Sequence, residues 1–314
     1  MDDSSAIYRG YYLGLEVGIK VYNLNKLDDT EKKHFISEIT LFISLKHPNI
    51  VSFIGISKES HYFSIVTEYM KQQSLKLVLD NKNIFLKESQ LINFCVEASL
   101  AIWYMHTREP PVLHRDIKSS NCLLDDFFKL KLCDLGLSKI FDKNFKKTDT
   151  KANTYWMSPE SLLDNIFTEK SDIYSLGILF WEIMHRDTIP YKDFSETCFY
   201  FEENLRTIRP KIDSKVNSKM ESLIRSCWEY ESEKRPNIEE IVSKLQIIKN
   251  ETVVKENSCL NSNNLNSHSK KPFDMSCSKI NKSSKENKNR ISDDFYRKTE
   301  ESTGNQLSVQ SEEY

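Results

Sequence analysis

Of the 314 residues, 39% are hydrophobic and 29% charged, with a net charge of -2. This is enough apolar material for one to two domains, and it gives no electrostatic ground for a nucleic-acid or membrane-surface partner. Lysines are plentiful but interspersed with acids, the pattern of a solvated surface. The seven cysteines are odd in number and contain no CxxC pair, which argues against a disulfide framework or a structural zinc. Reduced thiols are expected instead, in the cytoplasm or, as the alternative, the nucleus. The acidic, polar start MDDSSAIYRG is unlike a secretory leader, and the apolar run around Ile178 to Trp181 is too short to span a bilayer.

In chain order, residues 6–24 and 50–70 alternate as strands do, in Glu16-Val17-Gly18-Ile19-Lys20-Val21 and Phe63-Ser64-Ile65-Val66-Thr67-Glu68. Between them Phe35, Ile39 and Phe42 recur at helical spacing, predicting a helix over roughly 30–45. From residue 88 helices dominate. Leu91, Phe94, Cys95, Ala98, Ile102 and Met105 form one long stripe. Ser171 to Met184 is apolar nearly all round, predicting a helix inside the domain with Ser171 at its N-cap. Asn237 to Glu240, after Pro236, reads as a capping box opening a last helix. Beyond Asn250 the chain is rich in Asn, Ser, Lys and Glu, and residues 250–314 are expected to be a disordered polar tail. The fold class is α+β, with a small β-rich lobe over 1–70 and a larger helical lobe over 71–249.

The strongest motif is His114-Arg115-Asp116-Ile117-Lys118-Ser119-Ser120-Asn121, followed downstream by Asp134-Leu135-Gly136. Here the chain resembles the eukaryotic protein kinases, whose catalytic loop reads HRDxKxxN and whose metal motif reads DFG. VGIK ending at Lys20, Glu38, Ser158-Pro159-Glu160, Asp172 and Arg235 follow in family order. The resemblance covers about residues 6–249 and rests on the joint spacing, since each match alone is weak. KHPNIV at 46–51, IVTEYM at 65–70, YWMSPE at 155–160 and the segment from Cys227 to Pro236 are similar to the tyrosine-kinase-like group. Lys118, where tyrosine-specific members carry Ala or Arg, implies serine and threonine as acceptors.

Phosphoryl transfer needs charge neutralised on the phosphates and a nucleophile held in line. The resemblance assigns Asp116 to the substrate hydroxyl and Lys118 to the transferring group. Asn121 and Asp134 are oxygen donors suited to magnesium. Lys20 would contact the ATP phosphates and Glu38 would hold Lys20 by an ion pair. Thr67 would lie behind the adenine pocket, Glu68 to Met70 would form the hinge, and Ile7, Gly18 and Leu123 would line the nucleotide. Glu160 with Arg235 would be a buried structural pair, and Asp172 would accept backbone hydrogen bonds from the catalytic loop. Protein substrates and ATP are the implied partners, and the polar tail is a candidate docking segment.

Several positions depart from the family pattern. Asp2 and Ser5 stand where glycines of the phosphate-covering loop belong, so the first strand and its glycine-rich loop are expected to be missing, either cut away upstream or degenerate. Gly18 replaces an alanine that would pack on adenine, and Asn153 replaces a threonine that would bond Asp116 and Lys118. The lost loop opens an alternative, a scaffold with this fold and no turnover. Arg115 could read a phosphate on Thr148 or Thr150, or the constant charge of Asp149.

Overall fold

The computed structural model describes residues 5–23, 25, 36, 39–134, 139–140, 151–194, 198, 201–264 and 307–313. Four strands open the chain: β1 (Ser5–Tyr12), β2 (Leu15–Asn23), β3 (Phe53–Glu59) and β4 (Tyr62–Glu68). Helices α1 (Leu75–Asp80) and α2 (Glu88–His106) lead into the short strands β5 (Val112–Leu113), β6 (Cys122–Leu124), β7 (Leu130–Leu132) and β8 (Lys139–Ile140). Then come α3 (Pro159–Leu163), α4 (Glu169–His185), α5 (Glu202–Thr207), α6 (Ser218–Cys227), α7 (Ile238–Asn264) and a last strand, β9 (Leu307–Glu313). The main sheet is antiparallel in the order β3-β4-β2-β1-β9.

The alternation over 6–24 and 50–70 resolves into two hairpins. The first turns at Leu13-Gly14, both with positive φ (50 and 82), the backbone twist that a two-residue hairpin loop requires. Its register sets Ile7 opposite Lys20, and β2 in turn sets Gly18 opposite Thr67. Val17 and Ile19 pack with Val66 into a small apolar cluster. Period-two alternation therefore turns Gly18 and Lys20 to the other face of the sheet. In the expected helix over 30–45, residues 39–44 are helical, with Ile39 and Phe42 buried. Phe35 and Glu38 lie outside the described residues.

The lobes meet along the KHPNIV segment. The buried Asn49 donates through Nδ2 to the Leu130 carbonyl at 2.8 Å and accepts at its own carbonyl from the Leu132 amide at 2.8 Å. Val51 donates to the Leu132 carbonyl at 2.9 Å. A second tie runs from Lys131, whose Nζ donates to both Glu68 carboxylate oxygens at 2.7 and 2.6 Å. One continuous core, from Ile39 and Ile65 to α4 and α7, runs through both lobes.

In the large lobe the stripe predicted for α2 is buried throughout, and α4 is buried from Ser171 to Ile183. Helix α4 begins one turn earlier than expected. Thr168 is its N-cap, and Ser171 sits in the first turn, where its Oγ accepts the Thr168 amide at 3.0 Å. Gly177 lets α4 approach α6, since a Cβ there would lie 2.8 Å from that of Cys227. Asn237 caps α7 as predicted, its Oδ1 accepting the Glu240 amide at 2.8 Å.

The expected tail boundary at 250 falls inside α7. Beyond it Thr252 is buried, and the Glu256 carboxylate accepts the Ser89 amide at 3.0 Å and its hydroxyl at 2.7 Å. That carboxylate satisfies orphan donors in the first turn of α2, which composition could not reveal. Residues 265–306 lie outside the described residues. The end of the predicted tail returns as β9, antiparallel to β1, with Gly10 opposite Val309 and Tyr12 opposite Leu307. Among the described residues no helix is long and apolar enough to cross a membrane.

Pairing with β9 covers the backbone edge of β1 that faces away from β2. Deleting residues 307–314 is therefore expected to speed amide hydrogen exchange over Arg9 to Tyr12, while β4, inside the sheet, keeps its protection. Equal exchange along β1 with and without the segment would show that β9 does not cover this edge.

Candidate active site

The loop from His114 to Asn121 is strapped to α4 and braced by α2. Asp172, in the first turn of α4 and buried, accepts the His114 and Arg115 amides, each at 2.9 Å. His106, from the last turn of α2, meets the same carboxylate at 2.9 Å. Burial alone would raise the Asp172 pKa, but His106 and the amides outweigh it and hold the group below the usual carboxylate range. The loop then turns through a left-handed residue, Arg115 (φ 68), whose guanidinium stacks on Phe167 at 5.1 Å. A bulky residue in this region costs on the order of 1–3 kcal/mol and persists only where the surroundings impose it.

This turn delivers Asp116. Its Oδ2 meets Lys118 Nζ at 3.0 Å and accepts Asn121 Nδ2 at 2.7 Å. Asn121 Nδ2 also donates to the Asp116 carbonyl at 2.9 Å. The other carboxylate oxygen, Oδ1, is buried and has no hydrogen-bond partner among the described residues. The amide nitrogen of Asn121 being committed, its Oδ1 is the end left for a cation.

Asp134 follows β7. Its neighbour Cys133 donates from its amide to the Asn121 carbonyl at 2.9 Å, which fixes the two metal candidates to one another through the backbone. Asp134 too has positive φ (57). Lys20 reaches down from β2 and donates to Asp134 Oδ1 at 3.0 Å. Desolvation pushes the Asp134 pKa up, but Lys20 outweighs it and the carboxyl is held low, so the group is anionic at neutral pH.

The hinge residues follow from the β4 register. A Cβ on Gly18 would stand 3.1 Å from Thr67 Oγ1, and that hydroxyl donates to the Glu68 carbonyl at 3.2 Å. Glycine at 18 therefore gives room to Thr67; the loss of a methyl against adenine, expected from sequence, is the lesser consequence. Glu68 was expected for its backbone. Its side chain is the tie to Lys131, and it also accepts the Ser52 amide at 2.7 Å. Met70 is buried and its carbonyl accepts the Gln73 amide at 3.0 Å. Leu123 on β6 is half-buried, and Ile7 on β1 is exposed. Thus Asp116, Lys118 and Asn121 form one bonded set and Lys20 with Asp134 a second, joined through the Cys133 amide on the Asn121 carbonyl. Glu38, Thr148, Asp149, Thr150 and the Asn153 side chain lie outside the described residues.

Below the cleft Glu160 and Arg235 form the expected pair, bidentate at 2.7 and 2.8 Å. Arg235 is 1% exposed, and its other N–H groups donate to the carbonyls of Lys170, Glu229 and Tyr230. Sequence reasoning missed Lys131, whose alternation in a three-residue strand carries no signal. It also missed Glu182, which with Asp172 is one of two acids inside a helix read as apolar; a carboxylate among residues that cannot face water was the available clue.

A strand lysine held over an acid at the mouth of a strapped loop, between a sheet lobe and a helical lobe, defines a protein kinase domain. The chain belongs to the family described as protein tyrosine and serine/threonine kinase, whose family model matches residues 4–245. It is 31% identical over 243 residues, 76% of this chain, to the serine/threonine-protein kinase CTR1 of Arabidopsis thaliana, covering 30% of that protein. It is 33% identical over 244 residues, 76% of the chain, to the probable serine/threonine-protein kinase drkC of Dictyostelium discoideum, covering 32% of it. A protein of Acanthamoeba polyphaga mimivirus named as a serine/threonine-protein kinase/receptor, R831, is 32% identical over 246 residues, 77% of the chain and 15% of its own length. The chain thus spans a third or less of these relatives.

Removing Arg235 leaves the Glu160 carboxylate buried without its counter-ion. Arg235→Met is expected to cost about 3–5 kcal/mol of stability by denaturant unfolding. Pairing it with Glu160→Met should recover much of that loss. A single-variant loss below about 1 kcal/mol would mean the pair is solvated.

Proposed function

We propose that this domain transfers the γ-phosphoryl group of ATP to serine and threonine hydroxyls of protein substrates, with magnesium. The observation that carries the reading is the divided carboxylate of Asp116. One oxygen is anchored by Lys118 and Asn121, and the other is buried and has no hydrogen-bond partner among the described residues. A buried acceptor without a donor is costly unless a ligand supplies one, and a substrate hydroxyl is such a donor.

In this reading Asp116 Oδ1 accepts the proton of the attacking hydroxyl as its oxygen bonds to phosphorus and the bond to ADP breaks. Lys118, already beside Asp116, balances charge on the group in transit. Asn121 Oδ1 and the ionised Asp134 fit a hard cation that takes few protein ligands and keeps waters and phosphate oxygens. Magnesium, when bound, supplies charge neutralisation on the phosphates. Lys20 holds the α- and β-phosphates, and Thr67 and Met70, with Glu68 by its backbone, frame the adenine. Ile7, Gly18 and Leu123 line the same site. The assembly of these groups supports turnover over the scaffold alternative. The odd cysteine count and the lack of a CxxC pair in the sequence support a reducing compartment, the cytoplasm.

Two measurements test this. Nucleotide at ten times its dissociation constant should stabilise the protein by about 1.4 kcal/mol, and only with magnesium present. Asp116→Asn should keep that stabilisation and lose phosphoryl transfer by about 10²–10⁴-fold. Near-wild-type turnover in Asp116→Asn would remove Asp116 from the role.

A further inference from the structure

Helix α4 carries a second carboxylate against the catalytic loop, one that the reaction as described does not use. Glu182 is 0% exposed. Its Oε1 accepts the Ser119 hydroxyl at 2.6 Å. Its Oε2 accepts the Ser119 amide at 3.1 Å and Trp156 Nε1 at 3.0 Å. Ser119 stands between Lys118 and Asn121, the two residues that grip Asp116. Trp156 ends the helical turn Lys151–Trp156, just ahead of α3, and its carbonyl is held in turn by Ser175 Oγ of α4 at 2.7 Å.

Asp172 and Glu182 therefore hold the loop on either side of Asp116. Asp172 takes the amides of His114 and Arg115, before it, and Glu182 takes Ser119, after it. At 1.5 Å per residue the two acids are about 15 Å apart along the helix. A rigid helix that fixes both ends of a short loop fixes the atoms between them. The second strap has one property that the first lacks, because the same carboxylate also receives Trp156.

We propose that Glu182 is a positioning residue for phosphoryl transfer, a buried clamp that joins the Lys118–Asn121 half of the catalytic loop to the segment ending at Trp156, so that the order of one sets the geometry of the other. The proposal rests on the kinase reading for its consequence, but the clamp itself can be tested without turnover. All three partners are donors, so the clamp is complete only when Glu182 is ionised. Burial pushes its pKa up to about 7, against the pull of Ser119 and Trp156. Lys76 on α1 acts on it in the ionising direction. The Cys122 thiol of β6, raised well above the ordinary thiol range by burial, stays neutral beside it. Nearer neutrality than an ordinary carboxyl, the group titrates where the enzyme is assayed. Below its pKa a proton occupies one acceptor and a donor of the set is displaced; as pH rises through about 7 the full set forms.

The test uses the full chain and the variants Glu182→Gln and Ser119→Ala. The tryptophan emission of the wild type should titrate with a midpoint near 7, and Glu182→Gln should abolish that step while its melting curve stays cooperative. In kinetics Glu182→Gln should lower kcat by about tenfold, leave the affinity for MgATP unchanged, and flatten the rise of kcat between about pH 6 and 8. Ser119→Ala should act in the same direction, and the double variant should be no worse than Glu182→Gln alone, as expected of two groups in one contact. A wild type that shows the emission step and no phosphoryl transfer would sink the kinase reading and leave the clamp standing. An emission step unchanged in Glu182→Gln, or a kcat and pH profile equal to wild type in an active enzyme, would overturn the clamp. So would a parallel loss of MgATP affinity and cooperative melting, the signature of a purely structural residue.

Discussion

A helix buried from Ser171 to Ile183 can order a loop whose backbone amides are withdrawn from water only by bringing acceptors with it. That is the constraint on which this domain turns. Asp172 supplies the acceptor for the amides that precede Asp116, and it is anionic because His106 and those amides outweigh the cost of its burial. The left-handed turn at Arg115 is sustainable because its ends are held. Deprived of that carboxylate, the loop would have no reason to keep Asp116 beside Lys118 and Asn121.

The same economy of charge governs the cleft. Among the described residues its charges stand in pairs, Lys118 with Asp116 and Lys20 with Asp134. Because Lys20 belongs to the sheet lobe and Asp134 to the end of β7, their contact also registers the two lobes. The neutral ties at Asn49 and the charged one at Lys131 join the same two lobes.

Much of this was legible in the sequence, because the chemistry there depends on residue type and order. The loop His114 to Asn121, Asp134, Lys20, the Glu160–Arg235 pair and the acceptor role of Asp172 could be read from local strings. What could not be read depended on neighbours distant in the chain. Gly18 makes sense only beside Thr67, which the β2–β4 register supplies. The end of α7 looked too polar to order, yet Glu256 finds the amide and hydroxyl of Ser89 across the domain. Glu182 was hidden because one acid in the middle of the helix barely disturbs an apolar pattern, although it is fully buried.

The sheet holds a further consequence. Its outermost pair joins residues near 10 to residues near 310, the longest sequence separation between any two strands of the fold. During synthesis β1 emerges ahead of the other described elements, and its partner only after every one of them has appeared. Through that interval the nascent small lobe presents one bare ladder of amides and carbonyls, long after its hairpins and the large lobe can fold. Once the rest of the domain is compact, the strand is already tethered near its edge, and closing the remaining loop costs far less entropy than an open chain of that length would imply. The last of the described strands is thus the one that completes the first.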